Sequence, residues 1–319
     1  MSTSAVDRPF FETTWQRYRD RFIQADGRVI DWENDAQRTT SEGQAYAMLR
    51  ALIIDDPETF DRELTWGEEN LARRAPDGTL IDHLWAWKWG PDDAPGDAET
   101  WGILDVNFAT DADIDAATAL IMAARRWNKP DYLTLAKIKL KDIWEFSTAD
   151  IALQDDLSGR YLLPGPLDSF HPSPDVLYLN PSYVAPYAFR LFAQVDQQRD
   201  WLELVHTGYG ILEEGSKLSK LGLPSDWVLL HSEAPHYREL PPTASIKSVY
   251  GFDAYRVWWR VALDLSWFES APAGHYLNDH LPALLELWQQ ALQLPAQIVL
   301  AGEAMVDYGA TSQYAMVYQ

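Results

Sequence analysis

Apolar residues recur three and four positions apart along most of the chain, which is the spacing of amphipathic helices. That spacing predicts helices over residues 10–24, 41–54, 57–74, 113–127, 131–146, 181–195, 201–218, 252–268 and 281–292. Ser, Thr, Asp or Asn stands at or near several of the starts, where a short oxygen-bearing side chain can accept from the free N–H groups of a first turn. Long irregular segments lie between, over 75–107, 158–180 and 221–251, and hold much of the Pro and Gly and many of the aromatics. Two alternating runs inside them, "GTLIDHLWAWKW" and "WVLLH", are short enough for small hairpins. No Ser/Gly tract or low-complexity block interrupts the series, so the pattern reads as one all-α domain over 1–319 with long functional loops. Residues 1–8 are expected to be disordered. The last stretch, "GATSQYAMVYQ", begins like a helix and stops after barely two turns, which reads as a chain cut short. The unit of the series is a pair of helices of roughly 40–50 residues. Such pairs closed into a ring would leave an open end where the long loops gather.

Composition narrows the chemistry. Of 319 residues, 47% are hydrophobic, enough for a large core, and no run approaches membrane-spanning length, so no membrane insertion is expected. A net charge of −22 argues against nucleic acid as a partner, because phosphate binding needs clustered Lys and Arg. There is no cysteine, which removes disulfides, thiol catalysis and thiolate metal sites. The opening "MSTSAVDRPF" lacks the basic and apolar parts of a leader peptide, so the chain suits a mature form with its leader removed or a cytosolic protein. Fifteen Trp and fifteen Tyr exceed ordinary core needs and suit platforms for flat ligands such as sugar rings.

Three stretches carry acids at helix starts. In "TTSEGQAY", Thr39–Glu42 and Ser41–Gln44 both fit the capping pattern S/T-x-x-E/Q, yet capping leaves Gly43 unexplained. A glycine in a first turn weakens the helix, and the missing Cβ would let a substrate or another backbone come close to Glu42. In "FATDADIDAATALIMAARRW", Asp111, Asp113 and Asp115 crowd one helix start, where the macrodipole favours them. A calcium loop would need Gly and Glu where Ala116 and Met122 stand, so the trio reads as a ligand-binding or mutually tuned cluster. In "YGFDAYRVWWRVALD", Asp253 opens a helix and Arg256 follows three residues on, within pairing reach. "NPSY" (Asn180–Tyr183) opens another helix, and "WAWKWG" sets Trp85, Trp87 and Trp89 on alternate positions. Two carboxyl groups facing a sugar in an aromatic cleft are the minimum equipment of glycoside hydrolysis, one protonated and one ionised.

At these residues the chain resembles glycoside hydrolase family 8, above all the endoglucanases that accompany bacterial cellulose synthase. The family's signature runs approximately A-[ST]-D-[AG]-D-x-x-[IM]-A-x-[SA], with a Trp a few residues on. Ala109, Thr110, Asp111, Ala112, Asp113, Ala117, Ala119 and Trp127 follow it, and Ala116 departs from the usual Ile or Met. "SEGQAYAM" is similar to the family's acid-bearing segment, with Ala47 in place of a glycine. "WAWKWG", "NPSY" and "DAYRVWWR" follow in the family's order.

The resemblance implies an (α/α)6 barrel and cleavage with inversion, with no metal and no cofactor. Glu42 matches the general acid and Asp253 the general base. Asp111 matches the residue that holds and distorts the sugar, Tyr183 the tyrosine that positions the attacking water, and Arg256 the arginine beside the base. Asn180 is a candidate for substrate binding, and Trp85, Trp87, Trp89 and Trp101 are candidates for stacking. Inversion would need the two carboxyl groups about 6.5–9.5 Å apart. Burial near aromatic walls would keep Glu42 protonated, leaving Ser41 and Gln44 to cap the helix. The substrate expected is a β-1,4-linked polysaccharide, soluble or amorphous glucan first, then xylan or chitosan. A functional link to a cellulose synthase complex and a periplasmic or secreted location follow from the same likeness. The rivals are a non-catalytic glucan-binding protein and, more remotely, a terpene cyclase with magnesium on its Asp-rich helix; few basic residues and no second Asp-rich motif speak against the latter.

Overall fold

The computed structural model describes residues 8–32, 37–92, 100–153 and 158–317. The chain divides into two compact units, Met1–Glu145 and Phe146–Gln319. Residues 1–7 lie outside the described ones. Arg8, grouped with them in the sequence reading, is the first residue of a helix.

The first unit runs α1 (Arg8–Phe22), β1 (Thr39–Thr40), α2 (Ser41–Ile54), α3 (Pro57–Asn70), β2 (Ala72–Arg74), β3 (Leu80–Pro91), β4 (Trp101–Phe108), α4 (Thr110–Trp127) and α5 (Pro130–Phe146). Helix α2 begins where the sequence placed it, but its cap is different. The Thr40 side chain accepts from the Gly43 N–H at 3.1 Å. Gln44 does not cap: its amide is buried, accepting from Val29 N–H and donating to the Gly27 and Glu63 carbonyls. Helix α4 is buried along nearly its whole length, and its alanines allow close packing against α2. Asp56 starts α3 by accepting from Thr59 N–H, with Pro57 at the first helical position, where a missing N–H costs nothing. Within the segment 75–107, irregular by sequence apart from the strand-like run 78–89, β3 and β4 form an antiparallel ladder. Strand β3 pairs antiparallel with β1, β2 and β4. Lys139 of α5 is fully buried beneath it, donating to the His83 carbonyl at 2.6 Å and lying 2.9 Å from Glu68 of α3.

The second unit holds β5 (Thr148–Ile151), β6 (Gly159–Leu162), α6 (Leu167–Phe170), β7 (Val176–Leu179), a 3-10 turn (Pro181–Tyr183), α7 (Pro186–Val195) and α8 (Trp201–Ser216). Then follow β8 (Val228–His231), β9 (Tyr237–Arg238), β10 (Val249–Tyr250), α9 (Tyr255–Phe268), α10 (Ala271–His280), α11 (Pro282–Ala291), β11 (Ile298–Val299) and α12 (Thr311–Val317). The helix expected over 181–195 is broken, because Val184 is extended and Ala185 is non-helical ahead of Pro186. Helix α10 was not expected at all. A buried polar knot ties this unit together. Asp264 of α9 accepts from Arg190 Nε of α7 at 2.9 Å and from the Tyr209 hydroxyl of α8 at 2.7 Å, and Ser270 ahead of α10 stands within 3.3 Å of Arg190. Among the described residues no helix is long and apolar enough to cross a membrane.

Removing one member of a buried charged pair leaves the other uncompensated. Asp264→Ala is therefore expected to lower stability by roughly 3 kcal/mol, the low end for such a loss because Arg190 keeps some contact with water. Urea unfolding of the variant beside the parent checks it.

Candidate active site

In the first unit, one strand positions both acid-bearing helix starts. Trp89 of β3 pairs with Thr39 and with Ile103, and Lys88 pairs with Thr40 and with Asp105. β1 runs directly into α2, so Glu42 stands in the first turn beside the Trp87–Trp89 stretch. β4 ends at Phe108, opposite Ala86, and α4 follows at Thr110, which sets Asp111 in its first turn. Glu42 is half-buried and its carboxylate accepts from Ser41 Oγ at 3.3 Å. A Cβ on Gly43 would lie 3.4 Å from Thr40 Oγ1 and 3.9 Å from Val29 Cγ1, which are ordinary contacts. Packing inside this unit does not require the glycine.

The three aspartates of α4 are buried, and they divide in role. Asp111 accepts from the Ala112 N–H at 2.9 Å. Asp113 accepts from the Trp85 N–H at 3.1 Å and lies 4.0 Å from Lys139. Burial pushes its carboxyl up to about 8, against the pull of the Lys139 ammonium. Asp113 thus anchors β3 to α4 and is not presented as a ligand group.

The four tryptophans divide as well. Trp85 departs from the expectation of a stacking platform. It is 1% exposed, its indole N–H donates to Glu68, and its ring carries the Lys139 ammonium at 4.5 Å. Trp87 and Trp89 are half-buried, and Trp101 is 40% exposed. Trp89 and Trp101 lie 5.4 Å apart and tilted by 36°, both under the Arg28 guanidinium, at 4.5 and 4.8 Å. Trp85 differs from the other two because its indole is enclosed between Glu68 of α3 and Lys139 of α5.

In the second unit the remaining candidates come together. Asp253 sits in the turn before α9, two residues short of Tyr255, not in the helix itself. Its two oxygens have separate partners: Oδ1 accepts from Arg256 Nη2 at 2.7 Å and Oδ2 accepts from Asn180 Nδ2 at 3.0 Å. Asn180 is buried, and its own Oδ1 accepts from the Ser182 N–H and hydroxyl, which caps the 3-10 turn and fixes the amide's orientation. That turn delivers Tyr183, whose half-buried ring lies 5.5 Å from the Arg256 guanidinium. An Asp with both oxygens engaged by side-chain donors, one of them cationic, is held in one orientation.

Sequence reasoning missed Asp226. Its Oδ1 accepts from the Ala254 N–H at 2.8 Å, directly behind Asp253. Burial first, then the Asp253 charge, raises its carboxyl to about 7. The contact spans 28 positions, and no local pattern in "LPSDWVLLH" announces it. Among the described residues no group of three or more His, Cys, Asp or Glu side chains could hold a metal ion.

The family model for glycosyl hydrolases family 8 matches residues 1–283. An endoglucanase from Xanthomonas axonopodis pv. citri is 33% identical over 78% of this chain and 60% of its own length, so the chain spans about three-fifths of that relative. Among solved structures, an endo-1,4-D-glucanase from Vibrio fischeri superposes with a TM-score of 0.79 at 27% identity, over 96% of this chain and 81% of that one. The endoglucanase of Klebsiella pneumoniae, a family 8 glycosyl hydrolase, gives 0.75 at 29% identity, over 96% and 88%. The fold class is the (α/α)6 helical one that the resemblance implied.

The two environments of tryptophan predict opposite responses. Trp85→Ala should cost about 3–5 kcal/mol of stability, as for a buried aromatic, while Trp101→Ala should stay within about 1 kcal/mol of the parent. Chemical denaturation of both variants measures the difference.

Proposed function

The chain belongs to glycosyl hydrolases family 8, and on that footing we propose that it is an inverting endo-β-1,4-glucanase. The observation that carries the reading is Asp253, half-exposed and held at both oxygens by Arg256 and Asn180, as a general base should be held. In this reading Asp253 takes a proton from water, whose oxygen bonds to the anomeric carbon. Glu42 gives its proton to the glycosidic oxygen as the bond from that carbon breaks, and the new hydroxyl lies on the opposite face of the ring. Tyr183 and Arg256 orient the water and the base, and Asp111, fully buried like Trp85, is kept as the sugar-holding acid on its match to the family motif alone. Arg256 also fixes the direction of Asp253 through its 2.7 Å bond to Oδ1. Trp87, Trp89 and Trp101 are kept as contacts for the glucan, and Trp85 is dropped from that set because it is buried.

The names of the relatives support β-1,4-glucan as substrate, and the resemblance of the acid-bearing and Asp-rich motifs supports the same. We read the whole chain as one catalytic domain acting in the periplasm or outside a bacterial cell, with a functional link to a cellulose synthase. Gly43, not demanded by packing, gives a sugar clearance beside Glu42.

Hydrolysis of carboxymethyl-cellulose, xylan and chitosan in parallel tests the assignment. Reducing ends should appear from the glucan and fall by at least about 100-fold in Glu42→Gln, the lower range for losing a general acid. Release from xylan or chitosan alone would change the substrate. Binding of glucan without hydrolysis would leave a carbohydrate-binding protein.

Gly43→Ala separates the glycine's two consequences. Stability should rise by about 0.5–1 kcal/mol, because alanine is the better helix residue. Turnover should fall by about tenfold, equal to about 1.4 kcal/mol in the transition state. A stabler enzyme with unchanged turnover would show that no sugar needs the space.

A further inference from the structure

The turn that carries Asp253 is built on a second carboxyl group. Asp226 lies just before β8, its backbone N–H donating to the Val249 carbonyl at 2.7 Å, which ties it to the strand that leads into the turn. Its side-chain Oδ1 accepts from the Ala254 N–H at 2.8 Å. Its other oxygen faces Gly251: a Cβ there would come within 2.5 Å of Asp226 Oδ2, so the turn can close over this carboxyl only with glycine at 251. The backbone on both sides of Asp253 is thus shaped around Asp226, from Gly251 before it to Ala254 after it.

We propose that Asp226 is a positioning residue for Asp253, holding the turn so that the base carboxylate meets Asn180 and Arg256 together. The inference rests on the reading of Asp253 as the general base. Asp226 touches neither of those partners' hydrogen bonds and contributes through backbone. Two carboxylates so placed would repel if both were ionised. The groups that face Asp226 are Asp253, Arg256, Tyr250 and Tyr255. Burial and the Asp253 charge, only partly offset by Arg256, raise the Asp226 carboxyl to about 7, so below neutrality it holds the turn as a neutral acid and adds no second full charge beside the base.

A positioning role predicts a loss confined to turnover. Misplacing a reacting group by about 1 Å costs on the order of 100-fold, so Asp226→Ala should lose about that factor in kcat while KM stays within about threefold. Asp226→Asn keeps an oxygen for the Ala254 N–H and should recover kcat to within about tenfold of the parent. Soluble cello-oligosaccharide is the substrate, and circular dichroism of each variant reports folding. If Asp226→Ala does not fold, Gly251→Ala takes its place, because the added methyl must displace the Asp226 carboxyl; it should show the same kcat loss. A folded Asp226→Ala or Gly251→Ala with the parent's kcat overturns the inference and leaves Asp226 a purely structural residue. An Asp253→Asn variant runs alongside. If it keeps the parent's rate, or the parent hydrolyses nothing, the reading of Asp253 as base fails and takes this inference with it. A dead Asp253→Asn beside an unimpaired Asp226→Ala rejects Asp226 alone.

Discussion

Strand β3 fixes where the chemistry of the first unit can stand. Its backbone is used by two neighbours at the same residues, Lys88 and Trp89: β1 pairs there and turns into α2, and β4 pairs there and turns into α4. A one-residue slip in either ladder would carry a helix start with it and send every side chain of the slipped strand to its other face. Asp113 pins the strand to α4 through the Trp85 N–H, and Lys139 pins it from beneath through the His83 carbonyl. The cost of burying these groups is offset only because each has a partner. Rigid backbone, not side-chain contact, therefore sets Glu42 and Asp111 in their first turns.

The second unit solves its own positioning problem with side chains. Asp253 lies in a turn, which has no ladder to hold it, and three different segments supply the restraint: Asn180 from the 3-10 turn, Arg256 from α9 and Asp226 from the approach to β8. Behind them the Asp264 knot joins α7, α8 and α9. In the proposed role as base, Asp253 must reach water and still keep a fixed direction. Engagement of both oxygens at a half-exposed position meets the two demands at once.

What the sequence made legible was local. The start of α2 at Ser41 follows from an oxygen-bearing residue ahead of an apolar stripe, and the structure begins the helix there. The cap itself was misread, since two frames fit the capping pattern and neither is used; Gln44 is drawn instead into buried bonds with Val29, Gly27 and Glu63. Helix α10 was missed because Pro272 and Gly274 look like breakers, although a proline in a first turn loses nothing. The strand-like run 78–89 was read as a small hairpin and most of it lies in β3, but the pairing of β3 with β1 and β4 is non-local and was not legible, and with it the burial of Trp85. The candidates Asn180, Tyr183, Asp253 and Arg256 were picked out through motifs, yet the bond from Asn180 to Asp253 spans 73 positions and no spacing rule could show it. Asp226 belongs to no motif and needed coordinates.

In the proposed mechanism Asp253 activates water while Glu42 protonates the leaving oxygen, in a single displacement. Proton NMR of a cello-oligosaccharide digest, recorded before mutarotation, tests it most directly. A β-linked substrate should release the α-anomer at the new reducing end first. Initial release of the β-anomer would mean two displacements through a covalent intermediate, and would contradict both Asp253 as general base and Glu42 as the acid of a single step.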